Sequence, residues 1–197
     1  MHLRNDSQRY GLLSVLLHWL MTIVIVGLFA LGKYIADMDY YDPWYIKGPE
    51  LHLGLGVITA LLLVTRLVWR LSNPHPQIMG KPWEQRVALW VHRLFYALIA
   101  AVVISGYLIT TADGKPLSVF DWFDIPATFY GYPNQEDIAG VIHKWLANGL
   151  IALAAFHGLA ALKHHFIDRD PTLCRMLGLG GTSSITTSPL QGENHHD

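Results

Sequence analysis

Long runs of apolar residues dominate the chain and alternate with short polar segments. The first run, from about residue 12 to residue 32, contains no Asp, Glu, Lys or Arg. At about 1.5 Å of rise per residue, a helix of this length spans the roughly 30 Å hydrocarbon layer of a membrane. Three further runs cover about residues 51–69, 87–110 and 138–162. The pattern therefore predicts an all-α integral membrane protein with four transmembrane helices.

The segments outside these runs contain the helix-breaking residues. Pro49, Pro74, Pro82 and Pro116 all lie between two runs, where a break in a helix costs least. We expect residues 1–11 to be an N-terminal segment, residues 12–165 the membrane domain and residues 166–197 a tail. The Gly-, Ser- and Thr-rich composition from about residue 178 predicts disorder.

A cleaved secretory signal is an alternative interpretation of the first run. Arg4 and Arg9 precede the run, and Ala30-Leu31-Gly32 resembles a cleavage site. The apolar region of a signal peptide is only about 7–15 residues long, so a retained helix fits this run better.

The Lys and Arg residues are divided unequally between the two sides of the predicted membrane domain. One side would carry ten of them: Arg4, Arg9, Arg66, Arg70, Lys81, Arg86, Arg93, Lys163, Arg169 and Arg175. The other side would carry four: Lys33, Lys47, Lys115 and Lys144. Because cytoplasmic loops are enriched in Lys and Arg, we expect both termini to be cytoplasmic. Arg66 and Arg93 lie near the ends of their runs, where long side chains can reach the lipid headgroups.

Composition supports the membrane assignment and excludes several functions. Only 15% of the residues are charged and 52% are hydrophobic, whereas soluble domains contain about 25% charged residues. The net charge of −1 argues against nucleic acid as a partner. The single cysteine, Cys174, excludes an internal disulfide, thioether-bound haem and an iron-sulfur cluster held by this chain alone.

Five histidines lie within the apolar runs, and four of them form two pairs at two predicted depths. Because successive helices alternate in direction, His18 and His157 lie near the cytoplasmic side and are called the inner pair. His52 and His143 lie near the opposite side and are called the outer pair. Ionisable residues within membrane spans are rare, so each one is a functional candidate.

Two histidines at one depth on different helices can bind a haem iron from its two faces. His143 and His157 are 14 residues apart, which is nearly four helical turns, so they share one face of the fourth helix. Ala147 and Ala154 on that face, and Gly56 after His52, leave room for a flat ring. Two such pairs predict two non-covalent haems b. The alternative is that the histidines form hydrogen bonds between helices or relay protons in a small transporter without haem.

Further residues complicate the predicted sites. His92 enters the third helix at a depth similar to that of His18, so geometry leaves it open as the partner of His157. His164, which follows His157 by seven residues, could contact a haem propionate, a quinone or only water. Lys144 is a candidate for pairing with a propionate of the outer haem, and Arg93 or His92 with one of the inner haem, because buried carboxylates need cationic or hydrogen-bonding partners.

Several short motifs resemble those of the bacterial cytochrome b561 family. They are His18-Trp19, Glu50-Leu51-His52-Leu53-Gly54, His143-Lys144-Trp145-Leu146-Ala147-Asn148, and His157-Gly158 with Lys163-His164-His165-Phe166. The resemblance covers about residues 8–177. It implies a four-helix protein of the bacterial inner membrane with two haems b. It also implies that His18 and His157 bind one haem, and that His52 and His143 bind the other.

The resemblance also bears on function. It favours a carrier of single electrons linked to the quinone pool, with ubiquinone or a redox partner protein as reaction partner and membrane lipid around it. An enzymatic alternative is a superoxide:ubiquinone oxidoreductase, because bacterial superoxide oxidase is a more distant member. A further alternative is a haem-bearing membrane anchor of a dehydrogenase, since similar helices occur in such subunits. The donor, the acceptor and the oligomeric state do not follow from the sequence.

Overall fold

Four long helices make up most of the computed structural model, which describes residues 2–179. The helices are α1 (Leu12–Asp37), α2 (Lys47–Ser72), α3 (Pro82–Thr110), α4 (Gln135–Phe166) and the short α5 (Thr172–Met176). Each predicted span lies within one long helix, which continues beyond it at one or both ends. The predicted disorder falls almost entirely on residues 180–197, which lie outside the described residues.

The beginning of α3 shows how the sequence sets a helix boundary. Pro82 occupies the first turn, where its missing N–H costs no hydrogen bond. The Glu84 carboxylate accepts a hydrogen bond from the Lys81 backbone N–H at 2.8 Å. This cap fixes the point at which the loop after α2 becomes helical.

The surface of the four long helices is largely apolar. Each is long and apolar enough to cross a membrane, and few of the residues in its most apolar part are buried inside the protein. Exposed side chains include Ile23 on α1, Leu61 on α2, Ile104 on α3 and Phe156 on α4. Water would solvate such a surface poorly, so lipid chains must cover it.

The helices pack as neighbours in a bundle. α3 packs mainly along α4, α1 packs along α2, and α2 also contacts α3. Met21, Ile99 and Leu150 form a buried cluster at the centre. Because Leu150 lies midway between His143 and His157, this core separates the outer pair from the inner pair.

A two-stranded hairpin between α3 and α4 is the departure from the predicted all-α fold. β1 (Leu117–Val119) pairs antiparallel with β2 (Phe123–Ile125). Phe120 and Asp121 make the turn with φ values of 51° and 56°. Leu117 and Val119 are buried while Ser118 is exposed, which is the two-residue period of a strand. Three residues of this period are too few to indicate a strand in the sequence alone.

Candidate functional site

The outer pair is brought together by α2 and α4. The ring centroids of His52 and His143 lie 6.2 Å apart, and the ring planes meet at 70°. A metal bonded to an imidazole nitrogen lies about 2 Å from it, so this separation leaves room for one metal atom between the rings. The structure therefore places these two predicted ligands at one level on separate helices.

The helix α3 orients the His143 ring. The His143 Nδ1–H donates a hydrogen bond to the Val102 carbonyl at 2.9 Å, and Ser105 Oγ lies 3.2 Å from the same nitrogen. A carbonyl oxygen only accepts, so the Nδ1 atom carries the proton and Nε2 keeps a free lone pair. Metal-binding histidines are oriented in this way.

The surroundings of His52 differ from those of His143. His52 Nδ1 is buried and has no hydrogen-bond partner among residues 2–179. A Cβ atom added to Gly32 on α1 would lie 3.0 Å from His52 Cε1. The ring is thus positioned by close packing, and one of its nitrogens remains unpaired.

Glycines on neighbouring helices make space for both rings of the outer pair. Gly32 on α1 makes space for the His52 ring. Gly106 on α3 makes space for the His143 ring, because a Cβ there would lie 3.3 Å from His143 Cε1. Nothing lies within 4 Å of a Cβ added to Gly56, so the open space predicted there is present. No pattern in the sequence predicts a role for Gly106, and Gly32 is notable there only as part of a possible cleavage site. Gly is common in membrane helices, and only the tertiary packing shows which ones face a histidine.

The inner pair has a different arrangement. The His157 ring lies 5.5 Å from the His92 ring and 5.4 Å from the Phe95 ring, measured between centroids. His18 Nδ1 lies 3.0 Å from Arg66 Nη2. The structure thus places His92 next to His157, and the choice between His18 and His92 as the partner of His157 stays open on geometry.

The Arg66 side chain points into the bundle. Besides His18 it contacts Met21 on α1, with Nη1 3.9 Å from the Met21 sulfur. Placement near the lipid headgroups was expected for this residue. The contact with His18 could not be predicted, because it depends on the rotation of α2 relative to α1.

Two of the remaining candidates lie on the surface. Lys144 is exposed and has no ionic partner within 4.0 Å among residues 2–179. Arg93 is also exposed, and its guanidinium lies over the Trp90 ring at 5.1 Å. No contact in the described part of the chain brings either residue to a histidine.

His164 belongs to an ionic network at the end of α4. Its Nδ1 lies 2.9 Å from an Asp168 oxygen and 2.8 Å from an Asp170 oxygen. Lys163 lies 2.7 Å from the same Asp168 oxygen and 2.9 Å from Glu84 at the start of α3. Burial raises the pKa of Asp170, but hydrogen bonds from Thr172 and the neighbouring His164 outweigh it and lower that pKa below its ordinary value.

This network could supply one nitrogen and two carboxylate oxygens to a divalent cation. Lys163 already provides positive charge at the shared Asp168 oxygen. We therefore interpret the network as a set of ion pairs that stabilises the packing of α4 against α3 and against the segment that follows α4.

The outer pair fits the requirements of a b-type haem. It offers imidazole nitrogens from two helices, an Nδ1–H fixed on a carbonyl and glycines where the rings meet neighbouring helices. The inner pair offers the same donor type, but one nitrogen of His18 is engaged by Arg66.

Comparison with known proteins agrees with this chemistry. Residues 9–179 match the family described as prokaryotic cytochrome b561. Cytochrome b561 homolog 2 of Escherichia coli (strain K12) is 48% identical over 180 residues, which cover 90% of this chain and 96% of the relative.

More distant relatives also align over most of their length. The probable superoxide oxidase CybB of Yersinia pestis is 29% identical over 173 residues, covering 86% of this chain and 96% of the relative. Cytochrome b561 homolog 1 of Escherichia coli (strain K12) is 27% identical over 173 residues, covering 86% and 97% respectively. The chain therefore belongs to the prokaryotic cytochrome b561 family of membrane electron carriers, which implies a b-type haem.

Proposed function

We propose that the protein holds two haems b and carries single electrons across the membrane to or from the quinone pool. His52 and His143 would be the axial ligands of one haem, and His18 and His157 those of the other. When bound, a haem with two histidine ligands supplies a reversible one-electron centre with no open position for oxygen. The observation that carries the proposal is the outer pair, in which α3 fixes the His143 ring at Nδ1.

The helix α4 gives the proposed sites their spacing. It runs without a proline from Gln135 to Phe166 and carries His143 and His157 on one face. Their separation of 14 positions corresponds to about 21 Å along the helix axis. One rigid element would therefore hold one ligand of each haem.

The number of haems per chain tests the proposal. Purified protein should give a dithionite-reduced b-type spectrum, and a pyridine haemochrome assay should give two haems b per chain. A single haem per chain would contradict the proposed transfer of electrons between two haems. A colourless protein would favour the proton-relay alternative.

The identity of the inner ligands is tested separately. His18→Ala and His92→Ala are compared, and we expect loss of the inner haem only from His18→Ala. Loss from His92→Ala alone would assign the site to His92 and His157.

A superoxide:ubiquinone oxidoreductase is the second candidate function. It is favoured by the likeness to a relative named probable superoxide oxidase. In this reaction two superoxide anions give up one electron each, and the quinone takes up two electrons and two protons. Quinone reduction driven by superoxide would establish it, whereas haem reduction without quinone turnover would leave the protein a carrier.

Two of the four lysines predicted on the side opposite the termini lie beside carboxylates, which weakens their attraction for an anion such as superoxide. Lys115 donates a hydrogen bond to Asp113 at 2.6 Å, which raises the pKa of Lys115 and leaves the pair without net charge. Lys47 lines an open cavity of about 290 Å³ beside Trp44 and Phe120, but Glu50 lines it too.

A dehydrogenase anchor is the third candidate function. It predicts that the protein purifies from native membranes with a larger redox subunit. Isolation without such a subunit would favour the carrier.

A further inference from the structure

Arg66 places a permanent positive charge inside the helix bundle. Its guanidinium is half-buried between α2 and α1, where its neighbours include the His18 ring, the Met21 thioether and the Tyr96 hydroxyl of α3. Among residues 2–179, no carboxylate oxygen lies within 4.0 Å of it. A guanidinium in an apolar layer is costly unless an anion compensates its charge.

The neighbouring arginines do not share this arrangement. Arg70, one turn further along α2, lies 5.8 Å from the Tyr96 ring centroid. Arg93 lies over Trp90 on the exposed surface of α3. Of these three, only Arg66 contacts a proposed haem ligand.

The hydrogen bond between Arg66 and His18 determines where the ring proton lies. A guanidinium can only donate, so His18 Nδ1 accepts, and the neutral ring carries its proton on Nε2. Neither ring nitrogen then has a free lone pair for a metal. The contact with Arg66 and metal binding by His18 are therefore mutually exclusive.

When His18 acts as a ligand, the Arg66 guanidinium needs another acceptor. A b-type haem carries two propionate carboxylates, and arginine binds carboxylates with two parallel, charge-assisted hydrogen bonds. We propose that Arg66 is the carboxylate-binding residue of the inner haem site. Its guanidinium would give up the hydrogen bond to His18 Nδ1 and form hydrogen bonds to a haem propionate instead. This inference rests on the proposed function, and it makes Arg66 a positioning residue for His18.

The exchange has two physical consequences. Binding of the propionate compensates the charge of Arg66, and departure of Arg66 frees His18 for its role as ligand. A fixed positive charge also stabilises the reduced state of a nearby redox centre. Arg66 should therefore raise the reduction potential of the inner haem.

Spectroelectrochemical titration of the haem-loaded full chain tests the inference. The inner haem is identified as the one lost from His18→Ala. Arg66→Gln should make its reduction about tenfold less favourable, which is 59 mV for one electron. The potential of the outer haem should not change. Arg66→Lys, which keeps the charge, should give a smaller shift. Arg86→Gln is the control, because Arg86 is exposed near the start of α3.

Infrared difference spectra between the oxidised and reduced protein give a second readout. With ¹³C-labelled propionates, a carboxylate band should move in Arg66→Gln and stay in place in Arg86→Gln. Unchanged inner potential and unchanged bands in Arg66→Gln would overturn the inference. If Arg66→Gln does not retain the inner haem, Arg66→Lys must retain it, and loss from both variants would also overturn the inference.

Failure of the proposed function would look different. Wild-type protein with fewer than two haems would overturn the di-haem proposal before any variant is measured. Wild-type protein with two haems and an unaltered Arg66→Gln variant would overturn only the role of Arg66.

Discussion

A histidine in a membrane span can be a metal ligand or a polar contact between helices, and the hydrogen bonds of its ring show whether a nitrogen is free to bind a metal. His143 donates its Nδ1 proton to a backbone carbonyl, so the opposite nitrogen is free. His18 accepts a hydrogen bond from an arginine and has no free nitrogen in that state. Both residues are histidines in membrane spans, so the sequence alone does not distinguish them. Only the tertiary contacts show which ring has a free nitrogen.

The first prediction concerns the outer ligands. His143→Ala should reduce the haem content from two to one per chain, because the iron would lose one of its two axial bonds. The remaining haem should stay reducible by dithionite. His75→Ala is the matched control, since His75 is exposed in the loop before α3 and should keep the full content. Retention of both haems by His143→Ala would exclude His143 as a ligand.

A second prediction concerns the glycine beside His52. Gly32→Ala would bring a Cβ to 3.0 Å from His52 Cε1 and force the ring or the helix to move. Overpacking of this kind costs about 1–3 kcal/mol. We expect the outer haem to be released at a lower temperature, followed by its absorbance during heating.

Gly27→Ala on the same helix is the control, because nothing lies within 4 Å of the added Cβ there. Equal release temperatures for the two variants would show that Gly32 does not limit the space around His52.

At the scale of elements, the sequence predicts the four helices well. Apolar runs of about 20 residues are sufficient to identify them, because the membrane imposes both the composition and the length. The hairpin was not predicted, since its three-residue strands carry too little periodicity. The partner of His157 was also not determined, because helix depth alone does not specify how each helix rotates about its axis.

The hairpin packs against α2, and one of its contacts is made by the turn residue Phe120. Phe120 lies against Gly54, and a Cβ added to Gly54 would overlap the Phe120 ring. Gly54→Ala should displace Phe120 and loosen the hairpin. We expect amide hydrogens of residues 117–125 to exchange about tenfold faster or more, consistent with an overpacking cost of about 1–3 kcal/mol.

Gly56→Ala is the matched control for this third prediction. It lies on the same helix, with nothing within 4 Å of the added Cβ. If the two alanine variants exchange at the same rate, the hairpin is held by contacts other than Phe120.

At the scale of the whole molecule, four apolar helices and the family assignment indicate a bacterial inner-membrane protein. Four crossings would place the start of α1 and the end of α4 on the same side of the membrane. The distribution of Lys and Arg predicts that this side is the cytoplasm. This predicted orientation rests on counting charges and does not depend on the packing of the helices.

The single cysteine allows a direct test of orientation. Cys174 lies on α5, next to His165, at the end of the bundle where α1 begins and α4 ends. A membrane-impermeant thiol reagent should label it in inside-out vesicles and not in intact spheroplasts. A Cys174→Ser, Tyr41→Cys variant should give the opposite result, because Tyr41 is 90% exposed in the loop at the other end. Labelling of Cys174 in spheroplasts would reverse the predicted orientation.

The continuous helix α4 has a consequence for bilayers of different thickness. In a bilayer that is thinner than its apolar length, a membrane helix can adapt by tilting, whereas in a thicker bilayer the lipid itself thins around the helix. Because His143 and His157 lie on the same continuous helix, tilting moves both residues together and leaves the distance between them unchanged. The rate of electron tunnelling, which falls steeply with distance, would then be insensitive to lipid chain length.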